Sequence, residues 1–293
     1  MVTEKITKDW KTEVQMTDGS CVCHETRSSV AGNTDFHVHD RYEIYLLVEG
    51  SVEYFVDAVR YVLRDGDMLL FNSREIHKAL NRTKHPFQRI VLEISPEYIA
   101  ALSSVDSDLA LCFEREPGTR NQVFLSEKER EQYISLLRRY MEEMSDPSFS
   151  SDIFCRSLLT EALVLVNRAW MRSTEEPAFE SAYYSGRLVR YIDEHISEPL
   201  TLDQIAAALS LNKYYISHLF KEETGSSLHR FIILKRVEKA RQLLAEGESV
   251  SEVCDRCGFN NYSNFIRTFH NVTGSSPGQY RKERLQSSNF CNI

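Results

Sequence analysis

The chain of 293 residues is long enough for two domains, and its apolar content of 42% can supply a core for each. Its apolar runs fall short of the roughly 20 residues a membrane span needs, and the opening stretch MVTEKITKDW lacks the apolar segment of a secretory signal, so a membrane protein is excluded and a cytoplasmic one expected. The formal charge of −8 argues against bulk attraction to nucleic acid, yet it is uneven: from Gly186 onward 14 Lys and Arg stand against 12 Asp and Glu, giving +2 there and −10 upstream. Phosphate binding by the later part would depend on local clustering of charge rather than on the total. Seven cysteines, an odd number without framework spacing, point to reduced thiols.

Up to about Pro117 the apolar residues come in short β-rich runs, YEIYLLV, VEYFV and DMLLF, separated by turn signals such as LRDG. This pattern predicts an antiparallel β domain. Within FHVHDRYEIYLLVEG, residues His37, His39 and Glu43 share parity, so on one strand their side chains would leave the same face. GDMLLFNSREIHKALN then adds His77. These stretches resemble the two cupin motifs: His-x-His, three residues, Glu43, six residues and Gly50; then Gly66, His77 eleven positions on and Asn81 four beyond. Asn72 and Arg74 depart from the Pro and Gly that cupins favour, and Gly32 is one residue out of register. The resemblance implies a jelly-roll barrel, closed or partly closed. His37, His39, Glu43 and His77 would line its pocket, holding either a divalent metal (zinc, nickel, manganese or iron) or a small organic effector. The lone histidines His24, His85 and His195 are expected to be structural or solvent-facing.

SEKEREQYISLLRRYMEEM and SDIFCRSLLTEALVLVNRAWM carry apolar residues at helical spacing. The second is apolar over more than one stripe, through Leu158, Leu159, Ala162, Leu163, Leu165, Val166 and Trp170, so it either fills a groove of its own domain or meets a partner subunit. In the second case, a charge at Leu159 or Leu163 would break a homodimer. RSTEEPAFESAYYSG is polar, contains a Pro and shows neither period, as expected of a linker. The expected organisation is a sensing barrel over residues 1–120, a helical dimerisation segment over 121–172, a linker over 173–185 and a helical domain over 186–293.

The last domain repeats itself. ETGSSLHRF at Glu223 is answered 49 positions later by VTGSSPGQY at Val272. TLDQ at Thr201 and SVSE at Ser249 are both capping boxes, each followed by a short helix, a turn and a second helix, expected over about Lys213–Glu223 and Tyr262–Val272. Each copy is a helix-turn-helix, whose second helix is narrow enough to enter a DNA major groove. Ile216, Leu219 and Phe220, and then Phe265, Thr268 and Phe269, form the inward stripes. Lys213, Tyr214, Ser217, His218 and Lys221, and then Tyr262, Ser263, Asn264, Arg267 and His270, remain outside, where they can meet base edges or phosphates. A single such helix would equally suit an ordinary hairpin with a solvated face; duplication of caps and turns favours DNA. Cys254 and Cys257 of CDRC fall on the core positions of Ala206 and Leu209 under the repeat, and read as buried structural thiols.

From Arg187 to Arg281 the chain resembles the AraC/XylS family of bacterial transcription regulators, through YIDEHISEPLTLDQIA, YYISHLFKEETGSSLHRFI, RVEKARQLL and CGFNNYSNFIRTFHNVTGSSPGQYR. The resemblance implies two helix-turn-helix units flanking a linking helix over about Ser227–Leu244. It places base contacts on Tyr214, Ser217 and His218 and on Ser263, Asn264 and Arg267, with His218 standing where members often carry Arg. It further implies double-stranded DNA as partner, a small polar effector such as a sugar in the barrel, a homodimer, and RNA polymerase as a partner if the protein activates. The fold class is α+β, a cupin-like barrel followed by an all-α domain. The rival class is a cupin-type metal-dependent enzyme, an isomerase or dioxygenase, carrying a DNA-binding appendage.

Overall fold

The computed structural model describes residues 9–29, 34–57, 59–81, 85–173 and 183–290; of the expected linker, residues 174–182 lie outside the described residues. Contacts divide the chain into two compact units: Met1–Thr34 with Asp40–Glu180, and Asp35–His39 with Ser181–Ile293.

The first unit is built on β1 (Trp10–Gln15), β2 (Cys21–Ser28), β3 (Tyr42–Glu49), β4 (Val52–Val56), β5 (Val59–Leu63), β6 (Met68–Phe71), β7 (His77–Leu80), β8 (Phe87–Ile94) and β9 (Gln122–Val123), with helices α1 (Pro96–Leu102), α2 (Glu127–Ser145) and α3 (Ser151–Arg172). The strands form a six-stranded sheet in the order β1-β2-β8-β3-β6-β9 and a three-stranded sheet β5-β4-β7. β3 reads as a nearly continuous apolar run because both of its faces are covered. Tyr45 and Leu47 join Tyr54, Phe71, Ala79 and Val91 in the layer between the sheets. Ile44 and Leu46 join Leu70, Ile90 and Leu92 in a second core beneath α2 and α3. Gly50, between β3 and β4, has φ +114°, and a Cβ there would come within 2.8 Å of the Phe87 Cβ.

That second core explains the unusual apolarity of α3. Leu159 and Leu163 are fully buried against the six-stranded sheet and α2. Of the two readings of this helix, a groove of its own domain or a subunit interface, the first holds for these two residues: they face inward, because the sheet needs a broad apolar lid. β9 pairs with β6 and α2 packs on α3, so both helices belong to the first unit.

The departure of Asn72 and Arg74 from the cupin pattern also has a local cause. The Asn72 side chain accepts a hydrogen bond from the Arg74 amide at 2.9 Å, and the Asn72 amide donates to the fully buried Glu75 at 2.8 Å. Glu75 in turn receives Arg115 at 2.6 Å and the Gly118 amide at 2.6 Å. A side-chain turn replaces the Pro-x-Gly turn and is fastened to the loop after α1.

The second unit is helical: α4 (Tyr183–Glu194), α5 (Leu202–Leu209), α6 (Lys213–Thr224), α7 (Leu228–Ala245), α8 (Val250–Arg256), α9 (Tyr262–Thr273) and α10 (Pro277–Phe290). The helix starts agree with the repeat to within one residue. α7 packs against α6, α8, α9 and α10, with Val237, Ala240, Leu243 and Leu244 meeting Val253, Phe265, Phe269 and Tyr280.

Candidate DNA-binding face and effector pocket

The repeated Thr-Gly-Ser-Ser is a helix-to-helix connector made twice. Thr224 Oγ1 donates to the Phe220 carbonyl at 2.7 Å and accepts from the Ser226 amide at 3.2 Å; Thr273 does the same with Phe269 at 3.0 Å and Ser275 at 3.3 Å. Gly225 and Gly274, at φ +70° and +79°, end α6 and α9 in the left-handed region. The final serines, Ser227 and Ser276, then accept from the Arg230 and Gln279 amides and start the next helices. At the other end, Asn212 and Asn261 cap α6 and α9, and both capping boxes, Thr201 with Gln204 and Ser249 with Glu252, are formed.

These devices fix the outward faces of α6 and α9. Ile216, Phe220, Phe265 and Phe269 are buried, while Leu219 and Thr268 are only partly covered. Tyr214 of α6 is 75% exposed and Tyr262 of α9 51%. Lys221, His218, Ser263, Asn264, Arg267 and His270 are exposed; Lys213 and Ser217 are half-buried. Lys213 Nζ lies 2.8 Å from Asp203, and His218 Nδ1 lies 3.4 Å from Glu222. Arg267 Nη2 donates to Asn264 Oδ1 at 3.1 Å, which holds the guanidinium along the helix surface. Tyr215, 47% exposed, is a member of the first face that the pattern reading left out. Tyr280 and Arg281, part of the motif that carries the resemblance, are structural: Tyr280 is buried, and Arg281 donates to the Gly247 carbonyl at 2.7 Å. Cys254 and Cys257 are buried, as expected, and burial pushes the Cys257 thiol up to about 12.

In the first unit, Glu43 and His77 meet on the inward face of the sheets, with His77 Nε2 3.4 Å from the Glu43 carboxylate. His77 Nδ1 lies 3.0 Å from the Glu75 carbonyl, and its ring stacks on Phe71. Burial alone would lower the His77 pKa, but the Glu43 carboxylate, helped by the Glu75 carbonyl and carboxylate, leaves it raised. His37 and His39 do not share a strand with Glu43. β3 begins at Tyr42, and both histidines precede it in irregular backbone, so the parity argument does not apply to them. The inward face also holds polar groups that sequence reasoning missed. Arg89 and Glu93 alternate with Val91 on β8; His24 and Thr26 pair across from Val91 and Arg89; Tyr45 and Tyr54 complete the set. Pairing across distant strands, which no local motif announces, brings these residues to one face. His24 is correspondingly no solvent-facing residue: burial first, then Arg89 and Lys11, push its pKa down to about 4.

Two helix-turn-helix units behind a two-sheet ligand-binding module define a DNA-binding transcription regulator. Comparison with known proteins gives the same division. An AraC-like ligand binding domain matches residues 22–163, and a helix-turn-helix domain matches residues 205–283. The melibiose operon regulatory protein of Escherichia coli strain K12 is 23% identical over 257 residues, covering 84% of this chain and 83% of its own. The transcriptional activator RhaS of Klebsiella pneumoniae strain 342 is 23% identical over 250 residues, covering 85% and 87%. Among solved structures, ToxT of Vibrio cholerae O395 aligns over 89% of this chain and 97% of its own, with 14% identity and a TM-score of 0.37. The chain belongs to the AraC/XylS family of transcription regulators.

Proposed function

We propose that the protein works in the cytoplasm as a homodimer that places α6 and α9 of each chain in successive major grooves of its operator, responds to a small polar effector on the inward barrel face, and has no catalytic activity. The observation that carries this reading is the duplicated construction of α6 and α9, each capped by Asn, ended by a Thr-Gly connector and presenting exposed Tyr and basic side chains. Lys213, Lys221 and His270 are assigned to phosphate; Tyr214, Ser217, His218, Ser263, Asn264 and Arg267 to base edges. If the regulator activates, RNA polymerase is the further partner.

The dimer contact is assigned to the outward side of α3. Ile153 and Phe154 are 62% and 39% exposed, and Leu102, Ile153, Arg156, Thr160, Glu161 and Val164 border an open groove of about 740 Å³. A divalent metal is the alternative occupant of the barrel. Its Glu43 and His77 provide two of the three or four donors such an ion needs, with the imidazole already oriented by the Glu75 carbonyl. The test is sedimentation combined with salt-dependent DNA binding. Wild type should sediment as a dimer and Thr160→Glu as a monomer, and Lys213→Ala with Lys221→Ala should flatten the dependence of affinity on salt by about one counterion each. A wild-type monomer at high concentration contradicts the dimer, and an unchanged salt slope contradicts the phosphate assignment.

A further inference from the structure

We propose that the barrel effector carries a carboxylate, seated on Arg89 with Thr26 and Tyr45 as hydroxyl partners. This rests on the reading of the inward face as an effector pocket and specifies its ligand. Thr26 and Arg89 are direct cross-strand partners on β2 and β8, and Arg89 sits beside Leu47, two residues along β3 from Tyr45. The guanidinium carbon lies 5.8 Å from the Tyr45 ring and 5.7 Å from the Phe87 ring. Thr26 Oγ1, the Tyr45 hydroxyl and Arg89 Nε are all buried without a well-formed hydrogen bond among the described residues, although the Tyr45 hydroxyl and the Arg89 guanidinium are near enough to act on each other. One such atom is tolerable, but three neighbouring ones on a single face are the signature of groups that await a ligand.

The charges on this face are segregated. Glu43 and Glu93 are cross-strand partners at the far end, four residues along β8 from Arg89, or about 13 Å by strand rise. There Glu43 is engaged by His77. At the Arg89 end, His24 pairs across from Val91, and with its pKa pushed down to about 4 by burial and by Arg89 it is neutral near pH 7. One fixed cation, flanked by hydroxyls and aromatic faces, suits a monocarboxylate on an organic body: the planar guanidinium matches the two oxygens, and the rings cover the carbon frame. A neutral sugar would satisfy the hydroxyls but leave the guanidinium with only the more distant Glu43 carboxylate as counter-charge. Val22, His24 and Thr26 are only half-buried, so the β2 end is the mouth through which such a molecule enters.

The test uses pairs of probes that differ in charge but little in shape, benzoate with benzamide and butyrate with butyramide, titrated into the full chain at millimolar concentrations and followed by ligand-observed NMR. At least one acid should bind roughly tenfold more tightly than its amide, about 1.4 kcal/mol. Arg89→Met should abolish that preference, with circular dichroism confirming the fold. Thr26→Val, which keeps the charge, should weaken the acid while leaving the preference in place. Equal binding of acid and amide, no binding of either, or a preference that survives Arg89→Met overturns the proposal. If D-glucose binds instead, lost in Glu43→Gln but retained in Arg89→Met, the carboxylate is wrong and the effector pocket stands. If no probe binds and none shifts the melting temperature, the pocket reading falls with it.

Discussion

The two units of this chain place their functional residues by opposite means. In the helical unit, each recognition face lies within one stretch of twelve residues, α6 or α9, and is fixed by caps encoded at its two ends. In the barrel, the inward polar groups come from β2, β3, β4, β7 and β8, and only strand pairing brings them together. The helical face can therefore lose one contact and keep its fold. The barrel face is part of a packed layer, so its chemistry and its stability are bound to each other.

The largest expected effect lies in the core that supports the second recognition helix. Phe265→Ala should destabilise the helical unit by about 3 to 5 kcal/mol, because Phe265 is fully buried among Phe259, Phe269 and the side chains of α7. Chemical denaturation should show that unit melting early while the first unit keeps its transition. A coincident shift of both would break the distinction between the units.

Next comes pH, which should separate them. His24 has a folded pKa of about 4 against an ordinary value of about 6.5, so the unfolded chain binds the proton more readily. Stability of the barrel unit is thus fully present above about pH 6.5 and falls as pH drops toward 4, by up to about 3 kcal/mol. His24→Gln should remove that part of the slope, measured as the difference between the variant and wild-type denaturation curves. His77 runs the other way. Its raised pKa gives stability that is present below about pH 6.5 and lost as pH rises through the folded value, so His77→Gln should narrow its deficit toward alkaline pH.

Arg267→Ala sharpens the other side of the comparison. It should weaken specific DNA binding by about 1 to 3 kcal/mol with no change in melting temperature, since Arg267 is exposed and, among the described residues, bonds only to Asn264 on its own helix. The smallest effect is expected from Thr273→Val, about 1 kcal/mol of stability, because it removes the hydroxyl that bridges the Phe269 carbonyl and the Ser275 amide.

This contrast also explains what could be read from the sequence. The duplicated capping boxes, the Thr-Gly-Ser-Ser connectors and the inward stripe of Phe265 and Phe269 each depend on residues within a few positions of one another, so periodicity exposed them. Glu43 and His77 were found because cupin spacing names them, and they do meet. The parity argument for His37 and His39 fails because it was extended backwards past the true start of β3 at Tyr42. Arg89, Thr26 and Tyr45 were missed because nothing in a strand sequence states which strand will lie beside it. The apolar stripe of α3 was legible, but its direction was not: Leu159 and Leu163 pack on the sheet, leaving Ile153 and Val164 to border the outer groove.

The central claim is that α6 and α9 are two matched readers of DNA, and it can be tested without knowing the operator. Purified full-length protein should be used to enrich binders from a random pool of duplex DNA at near-physiological salt, with Arg267→Ala carried in parallel. The account predicts that each selected half-site carries two information-rich blocks, their centres separated by about 10 to 10.5 base pairs, one turn of the duplex, with loss of base preference in one block of the half-site only for Arg267→Ala. Enrichment of no motif, or the same two blocks at full strength with Arg267→Ala, would contradict it.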